Sequence, residues 1–189
     1  MKRILSFAAI LLLLTVSGCG NKQKEAAAPE APAAAAEETT DMSQYVPGLE
    51  NGNDAPDFEA PDVTGNMVKL SDFRGKYVVL DFWASWCKDC RAEMPAVKDL
   101  YGKYASDDVV FLGVSFDTDL QAMIDYSVEA EIPWMCVCNQ IKMKENPISV
   151  AYGLHWIPTM FLINPEGKSV GYAFTADELE KLLAAEIAG

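Results

Sequence analysis

A single histidine, His155, is all that 189 residues supply, and 15 lysines and arginines stand against 28 aspartates and glutamates. One histidine leaves a four-ligand zinc site short of donors. The formal charge of −13 repels nucleic-acid phosphates and argues against nucleic acid as a partner; otherwise an acidic surplus simply keeps a domain soluble. No stretch is apolar over the roughly 20 residues that a membrane-spanning helix requires, and the run Ile4 to Leu14 stops well short of that. No internal repeat is visible. Asn21 to Pro47 has almost no large apolar side chain, so it cannot bury enough surface to offset the entropy of ordering.

What is present at the N-terminus is the three-part layout of a secretory signal peptide over residues 1–18. Lys2 and Arg3 precede the apolar run, and small residues lead into Cys19. Val16-Ser17-Gly18-Cys19 resembles the bacterial lipobox. That resemblance implies a lipidated Cys19 as the first residue of the mature chain, held at a membrane surface in the cell envelope, facing the periplasm or the exterior, without spanning it. An ordinary cleaved signal with an incidental cysteine is the plainer alternative. Residues 19–50 then read as the lipidated cysteine and a flexible Ala/Glu/Pro tether, with Pro29 and Pro32 interrupting any helix in its Ala run. Residues 51–189 remain, enough for one domain with its own core.

Along that domain strand and helix signals alternate. Ala55 to Lys76 reads as a short hairpin with Thr64-Gly65-Asn66 at its turn, then a loop closing at Gly75. Tyr77 to Trp83 (YVVLDFW) and Val109 to Ser115 (VVFLGVS) are core strand runs. Between them Met94, Val97, Leu100, Tyr101 and Tyr104 recur at helical spacing from Cys87 to Tyr104. Asp117-Thr118 opens a helix to about Ala130, Trp134 to Cys138 is a third strand, and Met143 to Tyr152 is helical with Pro147 either starting or breaking it. Thr159 to Asn164 and Ser169 to Phe174 form a terminal hairpin around Pro165-Glu166-Gly167. Thr175, with Glu178 three residues on, caps a last helix from Ala176 to Ala188. The fold class is α/β with a mixed sheet.

The chemistry concentrates in FWASWCKDCRAEMP, Phe82 to Pro95. Cys87 at the start of a helix meets unpaired N–H groups and the positive end of the dipole, both of which favour thiolate. Cys90 returns one turn later on the same side, within disulfide reach. Cys87 reads as the nucleophile and Cys90 as the resolver. Two rival readings are weaker. A staple this narrow closes almost no loop and stabilises little, and a metal clip lacks ligands.

The same segment, with APDFEAPDVTGNMVKLSDFRGK before it and Trp156-Ile157-Pro158-Thr159 followed by MFLINPEGK after it, resembles the thioredoxin superfamily, and within it the TlpA/ResA-type membrane-anchored thiol-disulfide oxidoreductases. The resemblance runs from Ala55 to the last helix. It implies a three-layer thioredoxin-like fold, a central mixed sheet with helices on both faces, carrying an N-terminal hairpin extension and an inserted helix-strand unit. It implies a cis Ile157-Pro158 bond beside the Cys87 sulfur, with Trp86, Ile157 and Pro158 meeting an extended client. Asp81 matches the buried acid of thioredoxins; burial would raise its pKa and let it take the Cys90 proton. Glu93 matches an acid implicated in tuning the cysteines, against the equally available reading of a solvated helix carboxylate.

The redox disulfide itself would carry the electrons, with no separate cofactor or metal. Exported proteins with disulfides would be the clients, and a membrane thiol donor of the DsbD/CcdA kind would be needed to re-reduce the pair. The chain departs from many relatives in having Asp89 where they carry proline before the second cysteine. Lys88 favours the Cys87 thiolate and Asp89 opposes it, which leaves the direction of electron flow open; Ile157 before the proline resembles reducing thioredoxins. A copper-binding module using Cys87, Cys90 and His155 and a peroxiredoxin-type peroxidase are the alternatives. Against the latter, Ala84-Ser85-Trp86 is not the Pro/Thr-rich approach of that family. Cys136 and Cys138 point to one face of their strand, which suits soft metal or a second thiol step, whereas Trp134, Met135 and Val137 around them suit plain core packing.

Overall fold

A computed structural model describes residues 47–187. The signal peptide, Cys19 and the tether up to residue 46 lie outside the described residues. Pro47 to Glu50, which the sequence places in the tether, lies against the domain: Leu49 is buried and the Gly48 N–H donates to the Gly153 carbonyl at 3.2 Å.

Glu59–Pro61 (β1) and Met67–Lys69 (β2) pair antiparallel. Asp62 holds the turn between them, its Oδ1 accepting from the N–H groups of Thr64 at 2.8 Å and Asn66 at 3.0 Å. A 3₁₀ turn at Leu70–Phe73 leads into Tyr77–Trp83 (β3), followed by Lys88–Tyr104 (α1), Val109–Ser115 (β4), Leu120–Glu129 (α2) and Met135–Cys138 (β5). Pro147–Tyr152 (α3), Thr159–Ile163 (β6), Ser169–Ala173 (β7) and Ala176–Ile187 (α4) complete the described chain.

Five strands form the central sheet in the order β5-β4-β3-β6-β7. β3–β4 and β4–β5 pair parallel, β3–β6 and β6–β7 antiparallel, so the sheet is mixed. Side chains alternate between its faces. On one, Tyr126 of α2 packs on Trp83 and Tyr101 of α1 on Phe111. On the other, Tyr152 of α3 packs on Phe82 and Phe161, and Phe58 reaches the same tyrosine from just before β1. Helices thus cover both faces. The α2–β5 pair, laid parallel beside β4, is the inserted unit.

Two helix starts differ from the sequence reading. The helix after β4 begins at Leu120, capped by Asp119, whose Oδ1 accepts from the Gln121 N–H at 2.9 Å. Asp117 does not open it, because its side chain is buried and held by serines of other elements. Met143 to Tyr152 divides into a 3₁₀ turn at Met143–Glu145 and α3. Pro147 starts α3, at the position where its missing N–H is not needed, and Asn146 caps it by accepting from the Ile148 N–H at 3.0 Å. Thr175 caps α4 as expected: its hydroxyl accepts from the Glu178 N–H while Glu178 accepts from the Thr175 N–H, each at 3.3 Å.

Gly153 ends α3 with a φ of +61°, and a Cβ there would stand 2.5 Å from the Gly48 nitrogen. Gly153→Ala therefore combines backbone strain with a clash against main chain that has no side chain to move. The expected loss of stability is about 2 kcal/mol, read as a lower urea midpoint. An unchanged midpoint would mean that position 153 bears neither the left-handed strain nor the close contact with Gly48.

Candidate active site

β3, the central strand, ends at Trp83, and four residues later Cys87 caps α1. Its sulfur accepts from the Cys90 N–H at 3.1 Å, the bond that a serine or aspartate makes at other helix starts. Cys87 and Cys90 are joined as a disulfide, with Cα atoms 5.3 Å apart. Cys87 is 6% exposed and Cys90 2%, so the first sulfur is the one an incoming group reaches. Trp86 beside it is 62% exposed. Lys88 and Asp89 both face solvent, where their opposed effects are screened.

From the far side of the sheet the segment before β6 closes on this sulfur. The Ile157-Pro158 bond is cis, and the Ile157 carbonyl oxygen lies 3.6 Å from Cys87 Sγ. Ile157 and Pro158 are buried. Cys87, Cys90, Ile157 and Pro158 are therefore brought together, with Trp86 at the surface.

Asp81 occupies the middle of β3, opposite Gly113 on β4 and Met160 on β6. It is 3% exposed, and its Oδ2 has no hydrogen-bond partner among the described residues. Burial without compensation disfavours the charged form and pushes the carboxyl up to about 7. The row continues from Gly113 to Cys136 on β5. A Cβ on Gly113 would stand 2.7 Å from the Cys136 sulfur and 2.9 Å from the Trp83 indole nitrogen. Only glycine leaves room for both beside Asp81.

Glu93 is half-buried, and its Oε2 accepts from the N–H of Ala176 at 2.9 Å. A carboxylate at the first amide of α4 is favoured by that helix's dipole, so Glu93 ties α1 to α4. Cys136 and Cys138 are free thiols within the core. Burial pushes the Cys136 thiol up to about 12 and raises Cys138 as well, which suits packing far better than nucleophilic attack. His155 is exposed, and no three histidine, cysteine or carboxylate side chains among the described residues converge as metal ligands would.

Residues that sequence reasoning passed over are Ser85, Ser115 and Asp117. The last could have been flagged by the argument that singled out Asp81, since it is a lone carboxylate at the end of the apolar run VVFLGVSF. Its place just ahead of a helix absorbed it as a cap instead.

Residues 51–170 match the AhpC/TSA family. The chain is similar to the thiol-disulfide oxidoreductase ResA of Bacillus thuringiensis, 34% identical over 122 residues that cover 65% of this chain and 68% of that one. It is also similar to the ResA of Oceanobacillus iheyensis, 36% identical with 70% of each chain covered. Among solved structures, the thioredoxin domain of a thiol-disulfide oxidoreductase from Bacteroides vulgatus superposes with a TM-score of 0.66 at 30% identity, covering 72% of this chain and 97% of that one.

Proposed function

This chain belongs to the AhpC/TSA family and is a thiol-disulfide oxidoreductase of the ResA kind, and from that premise we propose that it works outside the cytoplasm, tethered by lipid on Cys19, reducing disulfides of exported client proteins. The observation that carries this reading is the Cys87 sulfur at the start of α1, set against the Ile157 carbonyl and Pro158. In the reduced protein the Cys87 thiolate attacks one sulfur of a client disulfide, forming a mixed disulfide and releasing one client thiolate. Cys90 then attacks Cys87 Sγ, the Cys87–Cys90 bond forms, and the second client sulfur leaves as thiolate. Two electrons pass to the client in each cycle.

Asp81 supports the second step. A carboxyl titrating near neutrality is matched to accepting the Cys90 proton and giving it up again. An extended client strand lies against the exposed Trp86 and along the backbone at Ile157 and Pro158. Glu93 contributes by fixing the first turns of α1 against α4. A membrane thiol donor of the DsbD/CcdA kind restores the reduced pair, as no glutathione pool serves that compartment. Among the described residues no helix is long and apolar enough to cross a membrane.

The test is the reduction potential of the pair in the full-length protein, read by alkylation of the Cys87/Cys90 peptide in defined thiol buffers so that Cys136 and Cys138 do not contribute. A value near about −270 mV is expected of a donor to client disulfides, whereas one near about −120 mV would reverse the direction and make the protein an oxidant.

A further inference from the structure

One buried carboxylate is left unused by this chemistry, and it gathers partners from the ends of three neighbouring strands. Asp117, 2% exposed, lies two residues past β4. Its Oδ2 accepts from the Ser85 N–H at 2.9 Å and the Ser115 hydroxyl at 2.7 Å, and its Oδ1 from the Ser85 hydroxyl at 2.7 Å. Its own N–H donates to Ser115 Oγ at 3.0 Å, and its carbonyl accepts from the Cys138 thiol at 3.2 Å. Burying a carboxylate is unfavourable by several kcal/mol unless donors surround it, so these bonds are held firmly. Two of them end on one residue, Ser85.

Ser85 sits in the turn between β3 and α1, closed by the Cys87 N–H donating to Ala84 O at 3.1 Å. The direction in which Cys87 leaves this turn therefore depends on where Ser85 is held.

We propose that Asp117 is a positioning residue for the redox pair: through its two bonds to Ser85 it sets the turn that aims the Cys87 sulfur. The inference rests on the thiol-disulfide reading and adds a residue that acts through another. Turnover needs the sulfur in line with the client disulfide, and small misplacements lower rates steeply.

The experiment compares Asp117→Asn, Ser85→Ala and Ser85→Thr in the full-length protein. It reads insulin disulfide reduction as kcat/KM and the urea midpoint. Asp117→Asn is expected to lower kcat/KM about tenfold, since an amide has one oxygen where the carboxylate uses two to hold the Ser85 N–H and hydroxyl. Ser85→Ala is expected to lower kcat/KM about tenfold. Ser85→Thr, which keeps both the N–H and the hydroxyl, restores it. Should Asp117→Asn fail to fold, the alanine and threonine pair at Ser85 carries the test alone. Lowered midpoints with unchanged kcat/KM would reduce Asp117 to a stabilising contact and overturn the inference. A wild-type protein that reduces no insulin would instead overturn the reading of the pair as a disulfide reductase.

Discussion

Cys87→Ser is expected to lower kcat/KM for client disulfides by about 10⁴-fold or more, as when a covalent nucleophile is removed elsewhere. A serine hydroxyl supplies almost no anion near neutral pH, and the N–H of Cys90 and the α1 dipole, which favour a thiolate, cannot make up that difference. Cys90→Ser has a different signature. Attack by Cys87 still proceeds, but nothing releases the client, so the mixed disulfide accumulates and is recovered as a covalent adduct on a non-reducing gel. Turnover surviving in Cys87→Ser, or adducts forming through Cys90 in its place, would exchange the roles assigned to the two sulfurs.

Asp81→Asn is expected to stabilise the protein at pH 8 by roughly 4 kcal/mol and to leave pH 4 nearly unchanged. The folded carboxyl titrates near 7, raised from 3.8 by burial. Between those values the folded chain holds a proton that the unfolded chain has released, so wild-type stability falls as pH rises through the window from about 4 to about 7 and is level above it. Asparagine carries no charge at either end and removes the slope. Urea midpoints at pH 4, 6 and 8 measure this directly, and a wild type with a flat profile would mean that Asp81 is not desolvated as its burial indicates. The same substitution should slow resolution of the mixed disulfide by about 10²-fold through loss of the proton acceptor.

Much of the sheet was legible because its strands carry strong local signals. The β-branched runs of β3 and β4 bound those strands at the residues where the structure has them, and Thr175 with Glu178 marked the start of α4. The cysteine pair was legible for a similar reason: it straddles a change from strand to helix. Pairing across the sheet was not. Asp81, Gly113 and Cys136 form one row only because β3, β4 and β5 align in register, and no local pattern encodes the collision that a Cβ on Gly113 would cause. Asp117 escaped for the same reason, since its partner Ser85 lies 32 positions back. The proline segment was recognised by its resemblance to known sequences; periodicity alone makes it the start of a strand.

The position of β6 also orders events in time. Val78 pairs with Ile163 and Phe82 with Thr159, separations of 163 − 78 = 85 and 159 − 82 = 77 positions, while β4 follows β3 within one helix. Closing so long a loop is entropically slow compared with forming the parallel half of the sheet. As the chain is made, β3 and both cysteines exist well before Ile157, and through that interval β3 presents an open edge and Cys87 has no carbonyl facing it. The thiol pair is thus older than its own site. Until the last quarter of the domain arrives, Cys87 and Cys90 stand at the start of α1 without the Ile157 carbonyl over them, open to whatever oxidises them first.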